Sequence, residues 1–396
     1  MLKDKIQRLA HAYHQDVIGI RRHLHQNPEL SYEEVETGKY ISERLHEYGI
    51  PHQHGVADNG VVGLIKGQNP EKRVVALRAD MDALPIEEAN EVPYKSRKPG
   101  IMHACGHDVH TSSLLGAARI LNDLKQDFEG TVKLIFQPAE ERLPGGASLM
   151  IKEGVLENPR PATILGQHVH PPLEVGKVGM RAGNYMASAD ELYMTVKGKG
   201  GHGALPQDCI DPILIAAHIL TALQQVISRN ADPALPSVLT FGFIASAGGA
   251  TNIIPNEVKL KGTFRTMDER WRFEAHQRMK RMAEGMAESM GGACELDIVV
   301  GYPVLFNNEA LTQKAFRYAE EYLGKENVVE LPIRMTAEDF AYYSQEMPAC
   351  FYRLGTGNPA RGITSPIHTN TFDVDEDCLA LSTGLMAWMA VKELGG

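Results

Sequence analysis

Short runs of nearly unbroken apolar residues alternate with helix-patterned segments through the first 170 or so residues, and this alternation restricts the chain more than any other feature. The runs are GVVGLIKG at 60–67, RVVALRAD at 73–80, TVKLIFQ at 131–137 and ATILGQHV at 162–169. A strand that is apolar on both faces must be covered on both faces, which is the condition of a parallel sheet lying between layers of helix. Helices are predicted from Leu2 to about Gln26, over Glu33 to Tyr48, from about His110 to Leu124 and near Gly146 to Gly154. In the first of these Ile6, Leu9, Tyr13, Val17, Ile20 and Leu24 recur at helical spacing until Asn27-Pro28 ends the pattern. The fold class is therefore α/β, with a mostly parallel central sheet flanked by helices.

After Gly183 the texture changes to alternating strands, ELYMTVKGKG at 191–200, SVLTFGFIASA at 237–247 and EVKLKGTFRT at 257–266. A helix opening at Asp211-Pro212 and running to about Val226 has an N-cap carboxylate and a proline at its first position. A second helix is predicted over about Asp268 to Met290. This β-α-β-β-α unit is complete enough to pack as a small α+β domain. The α/β pattern resumes from about Asp297, so residues 184–296 read as a domain inserted into another made of 1–183 and 297–396. A chain of 396 residues also exceeds the roughly 250–300 at which one core stops growing.

The formal charge of −10 opposes phosphate backbones and anionic lipid surfaces, which argues against nucleic acid and membrane partners. The N-terminus MLKDKIQRLAHAYHQDV carries charge in every turn and has no signal-like apolar core, so a cytoplasmic location is expected. Five widely spaced cysteines fit a reducing compartment better than a disulfide framework.

One of them, Cys105, stands in HACGHDVH beside His103 and His107. Other metal-ligand residue types fall at predicted strand ends: Asp80 and Asp82 in RADMDALP, Glu140 and Glu141 in QPAEE, His168 in GQHVH, His368 in SPIHTN. Loops after successive strands of an open α/β sheet converge at one crevice whatever their separation in sequence. A thiolate with imidazoles and carboxylates suits zinc, manganese, cobalt or nickel rather than calcium or magnesium, and this many donors can hold two ions. Two such ions would activate a water, with one of Glu140 and Glu141 binding metal and the other accepting the proton.

The strings RRHLHQNPELSYEE, RADMDALP, HACGHDVH, QPAEE, GGHGALP, TNIIP, TAEDF and SPIHT cover almost the whole chain. Together they resemble the amidohydrolase branch of the metallo-aminoacylase and carboxypeptidase family, which includes hippurate hydrolase, N-acetyl-diaminopimelate deacetylase and auxin-conjugate hydrolases. The resemblance implies a zinc-peptidase-like catalytic domain with an inserted lid or dimerisation domain. It further implies that Cys105, His107, Glu141, His168 and His368 bind two divalent metals, with Cys105 bridging, and that Glu140 is the general base. Other branches place a histidine where Asp80 stands and an aspartate where Cys105 stands, so these departures favour the amidohydrolase branch. Asp82 is read as a carboxylate that orients a ligand imidazole.

In the inserted domain His202 of GGHGALP resembles the family's lid histidine, which hydrogen-bonds the tetrahedral oxyanion. Asn252 and Arg265 resemble lid positions that hold substrate, and the loop GTGN from Gly355 offers backbone N–H donors to an α-carboxylate. Glu338 and Asp339 of TAEDF are expected to cap a helix or support the site. The implied reaction is hydrolysis of a small N-acyl amino acid, with a homodimer through the inserted domain. Three other readings compete: a dipeptidase or carboxypeptidase, a thiol hydrolase in which His107 activates Cys105, and a metal-loaded protein that binds acyl amino acids without cleaving them.

Overall fold

The computed structural model describes residues 1–395. The chain divides into two units. The larger comprises Met1–Gly183, Phe306–Pro332 and the chain from Asp339 onward; the smaller comprises Asn184–Leu305 with Ile333–Glu338.

An eight-stranded sheet forms the larger unit, in the order His52–Val56, Gly60–Lys66, Thr131–Gln137, Val74–Asp80, Thr163–Glu174, Ala349–Gly357, Val178–Met180, Val328–Glu330. The four central strands, Thr131–Gln137 through Ala349–Gly357, run parallel. Antiparallel partners enter only toward the edges. Val74–Asp80, Thr131–Gln137 and Ala349–Gly357 are buried at every position, as strands covered on both faces must be. Helices Leu2–Gln26, His107–Asp123 and Cys378–Leu394 pack against one another, the first through the stripe Ile6, Ala10, Val17, Ile20 and Leu24. No helix of the described residues is long and apolar enough to cross a membrane.

The helix expected from His110 begins at His107. Gly106 makes the difference: at φ 82° it turns the chain sharply, and a Cβ there would stand 2.5 Å from Val169 Cγ2, so the turn admits no side chain. His107 is thereby placed on the first helical turn, above the sheet.

The smaller unit is a four-stranded antiparallel sheet in the order Ser237–Ser246, Glu257–Thr266, Asp190–Lys197, Ala293–Val300. Helices Pro212–Gln225 and Glu269–Ser289 bury Ile215, Ile219, Leu223, Ala275 and Met279 with Leu192, Met194 and Val196 from the sheet. Asp211 caps the first helix, accepting from Ile213 N and Leu214 N, as the Asp-Pro pair predicts. The strand Ala293–Val300 pairs along its length with Asp190–Lys197, so a domain boundary at 296 falls inside it. Its run CELDIVV mixes charge with apolar residues because one face is open, which is why it does not stand out in the sequence.

Candidate metal centre

The ligand-type side chains of the larger unit meet at the carboxyl ends of the central strands. Cys105 Sγ lies 3.4 Å from His168 Nε2 and 3.3 Å from His368 Nε2. Glu141 Oε1 is 3.2 Å from His368 Nε2 and 3.9 Å from His107 Nε2. Ligands about 2.0–2.3 Å from a tetrahedral ion stand roughly 3.3–3.8 Å apart, so these spacings suit donors around common ions. Cys105 belongs to two groups of donors close enough to share an ion, one with His107 and His168 and one with Glu141 and His368, and a further group joins Glu140 to His107 and Glu141.

Local hydrogen bonds aim each ring. His168 Nδ1 donates to Val169 O at 2.8 Å, which leaves the Nε2 lone pair facing Cys105. His107 Nδ1 faces Asp82 Oδ1 at 3.1 Å, and its buried Nε2 has no hydrogen-bond partner. Asp82 thus orients the His107 ring, an arrangement common for imidazoles around bound metals. The ordered donor set, the unpaired nitrogen and the mixture of sulfur, nitrogen and oxygen fit a pair of zinc-like divalent ions.

Electrostatics divide the cluster into a side chain already in ligand form and others that a bound cation would have to deprotonate. Burial, then the carboxylates of Glu141, Glu140 and Asp80, push the Cys105 thiol well above its ordinary range. A thiolate there requires a cation, and the protein alone does not make Cys105 a nucleophile. Burial opposes a charge on His107, yet Asp80, Asp82 and Glu141 together raise it to about 10. Burial, aided by Arg353, keeps His168 neutral, as a ligand imidazole must be.

Glu140 Oε2 lies 4.0 Å from His107 Nε2, and its other oxygen accepts from Asp339 N at 3.4 Å. It follows Ala139, whose φ of 52° is unusual for a residue with a side chain, and His368 has φ 62°. The His368 side chain is half exposed, whereas Cys105, His107 and His168 are buried, so the cluster opens to solvent on the His368 side.

Asp80 also comes within reach of His107, in a group with His110. Both are already engaged: Asp80 accepts from Arg78 Nη1 at 2.6 Å and pairs with His110 Nδ1 at 2.5 Å, while His110 Nε2 accepts from Val169 N. Asp339 accepts from Arg78, Gln137 and Ala147 N and supports the strand ends. The helix after it, Ala341–Glu346, has no side-chain cap.

His202, Asn252 and Arg265 lie in the smaller unit. His202 and Asn252 are brought together: Gly201–His202 pairs with Ile253–Ile254, and Gly203 N donates to Asn252 O at 2.7 Å. His202 Nδ1 accepts from Ala204 N at 3.0 Å, which places the proton of the neutral ring on Nε2. Arg265 is partly buried and donates from Nη1 to Met335 O at 3.3 Å. The expectation for Gly355 is corrected. It lies inside the strand Ala349–Gly357 and its N–H is already donated to Lys177 O at 2.9 Å, so it offers no free donor. A glycine is needed because a Cβ would stand 2.1 Å from Glu174 O, a packing constraint that reads in sequence like a ligand loop.

Arg78, His110 and Ser31 are drawn into this region without having been read as functional, although all three lie in the strings RADMDALP, HACGHDVH and RRHLHQNPELSYEE.

The profile of peptidase family M20/M25/M40 matches residues 76–390. IAA-amino acid hydrolase ILR1-like 4 of Arabidopsis thaliana is 41% identical over 383 residues, spanning 96% of this chain and 86% of that protein. The N-acyl-L-amino acid amidohydrolase of Geobacillus stearothermophilus is 43% identical over 307 residues, spanning 78% and 82%. The crystal structure of the Bacillus subtilis YXEP protein, described as a dinuclear metal binding peptidase from the M20 family, matches with a TM-score of 0.82 at 34% identity, over 97% of this chain and 99% of that one.

Proposed function

The chain belongs to peptidase family M20/M25/M40 and is a metal-dependent amidohydrolase, and from that premise we propose that it cleaves the amide bond of small N-acyl amino acids. The observation that carries the reading is the sharing of Cys105 between two groups of donors, with a second carboxylate, Glu140, grouped apart from Cys105 beside His107 and Glu141.

In this reading Cys105, His107 and His168 hold one divalent ion, and Cys105, Glu141 and His368 hold the other, zinc or manganese in the first instance, with cobalt or nickel also suited. Bound ions supply Lewis acidity toward the acyl carbonyl and the attacking water. Glu140 accepts the water proton and returns it to the leaving nitrogen, a task for a buried carboxylate at the rim of the cluster. Asp82 keeps His107 in the tautomer that presents Nε2. His202, with its proton set on Nε2 by Ala204, is the donor to the developing oxyanion. Asn252 and Arg265 hold the amino-acid end of the substrate, Arg265 through its guanidinium.

The five cysteines are free thiols, which supports a cytoplasmic location. Ser237–Ser246 lies at an edge of its sheet and exposes Phe243 and Ile244, which supports a homodimer along that edge.

The test is amine release from N-acetyl, N-benzoyl and N-indoleacetyl amino acids with added zinc or manganese, with a free dipeptide in the same panel. Turnover of acyl amino acids that stops with a strong chelator and returns with metal is expected. Preference for the dipeptide makes the enzyme a peptidase, as the YXEP protein is described. Binding without amine release leaves a binding protein, and activity that survives chelation returns the thiol to consideration.

A further inference from the structure

Several of the segments that carry the cluster's side chains are held from behind by side chains from the first helix or the turn that follows it. Arg21, on the helix Leu2–Gln26, is wholly buried. Its Nε donates to Asp108 Oδ2 at 2.8 Å, Nη2 to Asp373 Oδ1 at 3.0 Å and Nη1 to Glu376 Oε1 at 3.2 Å. Asp108 directly follows His107, and Asp373 and Glu376 come a few residues after His368. One rigid planar guanidinium therefore ties the segment bearing Cys105 and His107 to the segment bearing His368.

Ser31 Oγ donates to Asp82 Oδ2 at 2.6 Å, and Glu141 N donates to the same oxygen at 2.9 Å. The other Asp82 oxygen faces His107, so Ser31 fixes the carboxylate that links His107 to the Glu141 backbone. Glu34 Oε1 accepts from Ala139 N at 2.7 Å, and Asn59 Nδ2 donates to its other oxygen at 3.2 Å. That contact holds Ala139 in its left-handed conformation immediately before Glu140. Ser31 and Glu34 are both buried.

We propose that the segment Arg21–Glu34 is the positioning frame of the metal centre, with Arg21 holding the segments that bear Cys105, His107 and His368, Ser31 the Asp82 carboxylate that orients His107, and Glu34 the turn before Glu140 and Glu141. The inference rests on the metal-centre reading above. Burying a guanidinium among carboxylates carries a desolvation cost that pairing must offset, and apolar side chains fill ordinary core at no such cost. The arrangement has a geometric return: metal sites tolerate only about 0.2 Å of error in ligand distance. The frame touches neither substrate nor metal, so these are positioning residues.

The experiment is manganese titration of metal-free protein, with the electron paramagnetic resonance signal of a coupled manganese pair as second readout. Arg21→Met, Ser31→Ala and Glu34→Leu are each expected to weaken uptake of at least one ion about 10–100-fold and to diminish the coupled signal. Ser31→Ala, the mildest, should leave the melting temperature of the metal-free protein close to wild type. Glu34→Gln, which keeps an acceptor for Ala139 N, should restore the affinity lost in Glu34→Leu. Arg272→Met, which breaks a buried ion pair in the smaller unit, should lower the melting temperature and leave manganese affinity unchanged. Wild-type manganese binding in Ser31→Ala together with Glu34→Leu overturns the frame and leaves the metal-centre reading standing. A wild-type protein that takes up no transition metal overturns both.

Discussion

Both units bury ionisable groups, and they do so in opposite ways. In the smaller unit Asp190 is buried and wholly satisfied: Arg272 Nη2 donates to it at 2.6 Å, His276 Nε2 stands 2.7 Å away and Gly301 N donates at 3.2 Å. The protein supplies its own cations there, and the network closes on itself. In the larger unit Cys105, Glu140 and Glu141 crowd together while His107 Nε2 points into the cluster without a hydrogen-bond partner. That network closes only when a cation from outside joins it. The contrast separates a buried charge cluster that serves stability from one that serves chemistry: the question is whether its donors are spent within the protein.

The largest expected effect lies in the open network. Glu140→Ala should lower kcat about 10²- to 10⁴-fold while metal content, read by elemental analysis, stays at the wild-type level. Loss of metal along with activity would make Glu140 a ligand and blur the contrast. In the closed network Arg272→Met should cost about 3–5 kcal/mol of stability by leaving Asp190 buried and underpaired. Denaturant unfolding measures it, and kcat per bound metal should not change in the fraction that stays folded.

Acid should find the closed network as well. Burial works against ionisation of Asp190, but His276 and Arg272 outweigh it and hold the carboxyl below the usual aspartate range. A depressed folded value means that the stabilisation is fully present above about pH 4 and is lost as pH falls through the folded value. Unfolding free energy should therefore decline on acidification with a contribution of at most about 1.4 kcal/mol per pH unit from this group. Asp190→Asn should remove that contribution, and an unaltered slope would reassign it to other carboxyls. The smallest effect belongs to apolar packing: Ile219→Val, in the core of the smaller unit, should cost about 1 kcal/mol and touch neither metal content nor turnover.

The sequence showed the candidate ligand residues more clearly than their surroundings. Cys105, His107, Glu141, His168 and His368 sit in short strings whose residue types state their chemistry, and the structure brings their donor atoms together. Arg21 and Ser31 sit in strings just as visible, yet an arginine on an amphipathic helix and a serine in a turn read as surface groups until burial is known. Gly355 shows the reverse error, since a glycine required for close packing against Glu174 O looks like a glycine that frees a donor.

By itself the sequence determined the alternation of buried strand and helix, the antiparallel insert and the inventory of metal-binding side chains, because periodicity and residue chemistry are local properties. Only the tertiary structure decided that Cys105 stands in two groups of donor side chains, that His107 opens its helix, that Asp190 is closed by Arg272 and His276, and that Arg21, Ser31 and Glu34 reach segments far apart in the chain. Those facts depend on which residues far apart in the chain share a few ångströms of low-dielectric space, and burial and pairing exist only once the sheet has brought its strand ends together.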